Sequence, residues 1–210
     1  MFSQNVVGDG GCLFTSLGVA LRTHRLLDLS QEDLKNLPEF EEHPLNGMSR
    51  QSVCGGFQLR LGVVQWYMNN LEQDVPLLGK IIEKDKDTWK AKDILNLELA
   101  RYQDMTDSKE QVLKYLYHMT NFTSWGSTPE YIAFSLIVGV PVRVWRREEM
   151  EIVLNDTFPH DLKLEDKAIN ILFVHGNHYE PLITSEQKDQ LELIRKDFGK
   201  YYYKKYVLKL

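Results

Sequence analysis

Apolar positions follow a helical period through most of the chain and a strand period near its end. Leu13, Leu17, Ala20 and Leu21 recur every three to four residues, which predicts a first helix from residue 12 to about 26. Further helices are predicted within 28–40, 49–71, 77–83, 88–105, 108–119, 128–138 and 185–210.

The segment 49–71 is predicted to be a long helix with one apolar face. Its face is formed by Val53, Phe57, Leu61, Val64, Tyr67 and Met68. Gly55 and Gly56 each cost a helix about 1 kcal/mol, so a break or a close helix crossing is expected there. Cys54 lies in the same stretch, and we interpret it as a structural residue because no site pattern surrounds it.

The pattern changes after Asn121, where strand signals replace most helical ones. The first helix after this point has Thr128 as the predicted N-cap, Pro129 at the first helical position and Gly139 as its end. Strands are predicted over 140–145, 151–154, 168–174 and 179–183. Helices followed by a small sheet predict an α+β fold.

Composition places the chain among ordinary globular proteins. It has 210 residues, of which 43% are hydrophobic and 26% charged, and this length favours one domain. The net charge of −5 argues against general nucleic-acid binding. The two cysteines give no disulfide framework, no zinc-ligand spacing occurs, and no membrane span or signal peptide is predicted.

The segment Gly8–Leu17 carries the strongest chemical signal, since a glycine-rich loop leads to Cys12 at the predicted start of a helix. The positive end of a helix favours a thiolate, and backbone N–H groups at Gly10 and Gly11 can bind an oxyanion. Two alternatives remain at this stage: a buried structural cysteine, or a phosphate-binding loop. The second is disfavoured because neither phosphate-loop pattern is present.

A cysteine nucleophile needs a base, and His178 is the best candidate. It follows a hydrophobic strand and a Gly-Asn turn, a position that holds an imidazole at a sheet end. His175 lies before the same turn and is the weaker alternative. An incidental turn histidine explains this segment equally well when it is taken alone.

Three segments together resemble the ovarian tumour (OTU) family of deubiquitinating cysteine proteases. They are the cysteine loop Asp9–Phe14, the Trp125–Ala133 segment with Val140–Val142 after it, and the histidine segment Phe173–Leu182. The resemblance implies a papain-like, OTU-type fold in which helices flank a small mixed sheet. It also implies one catalytic domain over 1–210, with a variable helical region at 18–120 and a C-terminal helix at 185–210.

The resemblance implies the following chemistry. Cys12 attacks the carbonyl of the C-terminal glycine of ubiquitin, and His178 is the base. Backbone N–H groups near Gly10 and Gly11 bind the oxyanion. The family resemblance also places Trp125, Gly126 and Tyr179 beside the channel for the ubiquitin tail. No metal or cofactor is implied.

The third catalytic group departs from the family pattern. Many relatives carry Asp or Asn two residues after the histidine, where this chain has Glu180 followed by Pro181. Asp9 is the other acidic candidate. We rank Asp9 first for a role at the site and Glu180 second as the acid that orients the ring.

Two rival functions stay open on sequence grounds. One is a papain-like hydrolase for another ubiquitin-like modifier, and the other is a non-catalytic ubiquitin-binding module. The expected partner is ubiquitin or polyubiquitin, and the expected protein is a cytoplasmic monomer, in host cytoplasm if it comes from a pathogen. No short motif encodes a ubiquitin linkage preference.

Overall fold

The structure is a computed structural model. It describes residues 1–3, 6, 8, 10–27, 50–75, 89–99, 109–121, 123–158 and 168–189. The helices predicted within 28–40 and 77–83 lie outside these residues, as does Asp9. Of the helix predicted over 185–210, residues 185–189 are described and are helical.

The helices agree closely with those predicted. They are α1 (Cys12–Leu27), α2 (Arg50–Asn70), α3 (Ala91–Leu99), α4 (Lys109–Met119) and α5 (Thr128–Val138). The strands are β1 (Phe2–Ser3), β2 (Asp74–Val75), β3 (Trp89–Lys90), β4 (Val142–Glu148), β5 (Glu151–Phe158), β6 (Ile169–Val174) and β7 (His178–Ile183).

The main sheet has five strands in the order β1-β7-β6-β4-β5. Strands β4 and β6 run parallel, and the other neighbours are antiparallel, so the sheet is mixed. Strands β2 and β3 form a separate antiparallel pair. The predicted α+β fold with a small mixed sheet and flanking helices is confirmed.

Helix α1 is central to the core. It packs against β7, β6 and α2. Its apolar stripe is buried as its spacing predicts, and Leu13 and Leu17 have no exposed surface. Ser16 lies on the same buried side and donates a hydrogen bond to the backbone of β7, which fixes the helix along the sheet.

Helix α5 begins one residue earlier than predicted. Ser127, not Thr128, is the N-cap, and the carboxylate of Glu130 accepts a hydrogen bond from the Ser127 N–H at 2.7 Å. This is half of the reciprocal arrangement of a capping box, and it explains why the cap falls three residues before a glutamate. Gly139 ends the helix in the left-handed conformation, as predicted (φ +67°).

The apolar face of α2 is rotated from the predicted one. Leu61 and Met68 are 40% and 53% exposed, whereas the buried residues follow the spacing 60, 63, 64 and 67. Those residues are Arg60, Val63, Val64 and Tyr67. The predicted break at Gly55-Gly56 is absent, since α2 is continuous. The side chain of Cys54 lies outside what the structure describes.

Candidate active site

The site is built around the first residue of α1. Cys12 begins this helix and is 1% exposed. The Thr15 N–H donates to the Gly11 carbonyl at 2.9 Å, so the helical hydrogen bonds start immediately after the glycine loop. The sulfur therefore lies at the positive end of a 16-residue helix, an environment that favours a thiolate.

Gly10 fits this loop because it has no side chain. Its φ is +82°, and an added Cβ would lie 1.9 Å from the Thr123 carbonyl oxygen. The backbone of the cysteine loop at Gly10 therefore packs directly against the backbone of Thr123, in the segment before Trp125. Both the close approach and the positive φ therefore require glycine at position 10.

His178 occupies the position that the sequence predicts, at the start of β7 directly after a tight turn. His175 and Gly176 in this turn have positive φ values of 52° and 77°. A Cβ on Gly8 would lie 3.8 Å from His178 Nδ1. The cysteine loop therefore runs past the imidazole ring four residues before Cys12.

A second contact joins the cysteine helix to the histidine strand. The Ser16 hydroxyl donates to the Tyr179 carbonyl at 2.9 Å, and the bond is buried. Ser16 is one helical turn after Cys12, and Tyr179 is the neighbour of His178 in the chain. Two segments far apart in the sequence therefore meet beside both predicted catalytic residues.

Strand alternation separates the residues around His178. Glu180 lies two positions on and thus on the same face of β7 as His178, while Tyr179 points to the other face. Tyr179 is 8% exposed, and its ring centroid is 4.9 Å from that of Phe173. Tyr179 therefore packs under the site, and its place beside the channel stays a prediction.

The Trp125-Gly126 segment lies against the start of α1. Trp125 is 49% exposed, so about half of its surface is open to a ligand. A Cβ on Gly126 would lie 2.7 Å from Leu13 Cδ2 and 3.1 Å from Phe14 Cε2. This glycine allows the loop to approach the residue that directly follows Cys12.

Replacing Gly126 with alanine should therefore destabilise the protein and disturb the site. The new methyl group overlaps two buried side chains, and overpacking of this kind costs about 1–3 kcal/mol. Urea unfolding measures the loss. The same substitution at Gly62, where an added Cβ meets nothing within 4 Å, is the control. An unchanged midpoint in Gly126→Ala would contradict this packing.

The buried carboxyl group of Glu130 hydrogen-bonds the backbone directly after the Trp125-Gly126 segment. Glu130 is 1% exposed and accepts hydrogen bonds from the Ser127 N–H at 2.7 Å and the Tyr115 hydroxyl at 2.8 Å. Burial raises its pKa from 4.5 to about 7, against the lowering effect of these two hydrogen bonds, and nearby Glu98 adds to the rise.

Arg60 is the residue of this region that sequence reasoning missed. It is 1% exposed, and its guanidinium bonds backbone carbonyls of both loops beside Cys12. Its spacing could have revealed that it is buried, because Arg60 precedes Val63, Val64 and Tyr67 by three, four and seven residues and so lies on the same helix face. A face defined by apolar residues alone leaves this arginine out.

Within the described ranges, no three His, Cys, Asp or Glu side chains come together as a metal site. None of the helices in that part of the chain has the length and apolarity that a bilayer crossing needs.

Comparisons with known proteins were made on the sequence and on the fold. No family model and no curated protein matches the sequence. In structure, the chain matches an OTU deubiquitinase from Wolbachia pipientis wMel with TM-score 0.48 and 15% identity, over 90% of this chain and 95% of that one. It matches the OTU domain protease of Dera Ghazi Khan virus with TM-score 0.47 and 16% identity, over 86% and 78%.

A third match is the Hazara virus OTU bound to ubiquitin, with TM-score 0.46 and 15% identity over 87% of this chain and 82% of that one. Likeness at this level transfers no activity and no residue role, so the chemistry rests on this chain's own residues. The matched structures named here are all OTU domains, the family that the cysteine, tryptophan-glycine and histidine motifs of this chain resemble.

Proposed function

We propose that the protein is a cysteine-type deubiquitinase that hydrolyses the peptide or isopeptide bond after the C-terminal glycine of ubiquitin. The substrate assignment comes from the motif resemblance, and the chemistry comes from the residues around Cys12. Residues 1–210 form one catalytic domain in this proposal. It acts as a monomer in cytoplasm, on ubiquitin or polyubiquitin, with no nucleic-acid partner and no metal or cofactor.

In this proposal Cys12 and His178 form the reacting pair. His178 takes the thiol proton, and the Cys12 sulfur attacks the carbonyl carbon of the ubiquitin glycine. Backbone N–H groups at Gly10, Gly11 and Cys12 bind the oxyanion. The intermediate collapses to a thioester as the lysine amine leaves with the proton held by His178. His178 then deprotonates water, which attacks the thioester and releases the thiolate and the ubiquitin carboxylate.

The observation that carries the proposal is the double attachment of the cysteine segment to the histidine segment. Ser16 donates a hydrogen bond to the Tyr179 carbonyl one turn after Cys12, and Gly8, four residues before Cys12, lies near enough to the His178 ring that an added Cβ would be 3.8 Å from its Nδ1. A cysteine with no role beyond packing does not require its loop and its helix to lie beside the same histidine segment. Asp9 and Glu180 remain the proposed acidic groups.

Burial of Cys12 favours a second candidate function. At 1% exposure, the sulfur meets a substrate carbonyl only if neighbouring groups shift. Glu180 also stands where relatives carry Asp or Asn. A non-catalytic module that binds ubiquitin without cleaving it fits both observations.

A ubiquitin derivative with an electrophilic C-terminus separates these functions. We expect covalent labelling of the wild type and none of Cys12→Ala, with Cys54→Ala as the matched control that keeps labelling. Binding of ubiquitin without labelling would support the module. Labelling only by a probe built on another modifier would support a hydrolase of that modifier, and cleavage of linkage-defined diubiquitins would then define the preference.

A further inference from the structure

Arg60 connects three segments of backbone around the cysteine loop. Its Nη2 lies 3.1 Å from the Gly10 carbonyl oxygen and 2.7 Å from that of Ser124, and its Nη1 lies 3.2 Å from that of Met119. These acceptors belong to the cysteine loop, the segment before Trp125 and the end of α4. One side chain from α2 therefore holds together the parts that meet beside Cys12.

The position of the guanidinium is tightly defined. Arg60 is 1% exposed, and its Cζ lies 4.3 Å from the centroid of the Phe14 ring, a cation–π distance. Burying a charge is costly unless hydrogen bonds replace its water, and the three carbonyl oxygens do so in part. The planar guanidinium stacks on the Phe14 ring and directs N–H donors from two nitrogens to acceptors on separate segments, a fixed geometry that the single nitrogen of a lysine ammonium group does not reproduce.

The bond to Gly10 fixes the orientation of a particular peptide group. In a trans peptide the carbonyl of one residue and the N–H of the next point in opposite directions. Since the Gly10 carbonyl points at Arg60, the Gly11 N–H points away from the guanidinium. Rotating this peptide by half a turn would break the bond and direct a carbonyl oxygen to the side that the N–H now faces.

We propose that Arg60 is a positioning residue that holds the Gly10–Gly11 peptide with its N–H directed toward the oxyanion; this role rests on the proposed function. Arg60 acts through the loop and does not touch the substrate. Its loss therefore affects the step in which negative charge develops on the carbonyl oxygen. Binding of ubiquitin, which depends on other surfaces, is preserved.

Arg60→Lys tests this role because lysine retains the positive charge but lacks the planar guanidinium with its several N–H donors. We expect kcat on a fluorogenic ubiquitin substrate to fall about 10- to 100-fold, with KM within about threefold of the wild type. Tyr67→Phe is the matched control. Tyr67 lies two turns along the same buried face of α2 and donates a buried hydrogen bond to the Pro129 carbonyl at 2.9 Å. Its loss should lower the unfolding midpoint and leave kcat within twofold.

Amide hydrogen exchange gives a readout that does not depend on turnover. In Arg60→Lys, the Gly11 and Cys12 amides should exchange at least tenfold faster, while the Leu172 amide in β6 is unchanged. Tyr67→Phe should leave all three rates alone. If the wild type does not cleave any ubiquitin substrate, the proposed function fails, and the exchange rates alone decide whether Arg60 orders this loop.

The role of Arg60 would be overturned by an unchanged kcat together with unchanged exchange at Gly11 and Cys12. A rise in KM with normal kcat would also overturn it, as would equal losses of kcat in both variants. Should Arg60→Lys fail to fold, the wild type still provides a test. The Arg60 guanidinium protons should exchange slowly and show hydrogen-bond coupling to the Gly10 carbonyl carbon, and rapid exchange would exclude the role.

Discussion

Replacing His178 with asparagine should lower kcat for ubiquitin hydrolysis by about 1,000-fold, because general base and acid catalysis contribute about 10²- to 10⁴-fold. Asparagine keeps a hydrogen-bonding group at the start of β7 but cannot accept the thiol proton. Steady-state kinetics with a fluorogenic ubiquitin substrate measure the effect. KM should change little, since the imidazole acts on the reacting atoms.

His175 provides the matched control for this substitution. It lies at the other end of the same turn, is exposed and has a φ of +52°, a conformation that asparagine also tolerates. His175→Asn should retain nearly full activity. If the two variants lose activity equally, the turn and not the imidazole of His178 matters, and the proposed mechanism is wrong.

Replacing Glu130 with glutamine should remove a pH-dependent loss of stability. The pKa of Glu130 rises from 4.5 to about 7 in the fold, so the folded state binds a proton more tightly than the unfolded state. Stability from this group is complete below about pH 4.5 and is lost as pH rises through about 7. The shift corresponds to about 3 kcal/mol in the free energy of unfolding.

Urea unfolding of the wild type and Glu130→Gln between about pH 4.5 and pH 8 measures this effect. The wild-type free energy of unfolding minus that of the variant should decrease across this range and be constant above it. Glu110→Gln is the control, because Glu110 is exposed, and its hydrogen bond with Lys114 lowers its pKa from 4.5. A constant or increasing difference for Glu130→Gln would contradict the buried, proton-binding carboxyl.

Local signals in the sequence located the elements that present the candidate site. The Gly-Asn turn before His178 and the glycine after α5 favour backbone conformations that few other residues adopt. These local residues were therefore sufficient to predict where the turn lies and where the helix ends. The start of α1 at Cys12 was predictable for the same reason. A strand, turn or cap is decided by residues within a few positions of one another.

The errors came from long-range contacts. The buried face of α2 was placed one position away because only apolar residues were used to define it, whereas Arg60 is held inside by three carbonyls from distant segments. The place of Tyr179 beside the channel stays a prediction, and alternation along β7 buries its ring against Phe173, a contact that the motif does not show. The pKa of Glu130 depends on Tyr115 and Glu98, which no local pattern connects to it.

The pairing of β1 with β7 also determines when the site can form during synthesis. Phe2 pairs with Ile183, and the Ser16–Tyr179 hydrogen bond spans 163 positions, so the first strand and first helix emerge from the ribosome long before their partners. Loop closure over such distances slows folding. Until β6 and β7 have been translated, α1 has α2 but lacks the sheet that covers the rest of its apolar stripe. The nascent chain is then open to chaperones, with its thiol still apart from the histidine.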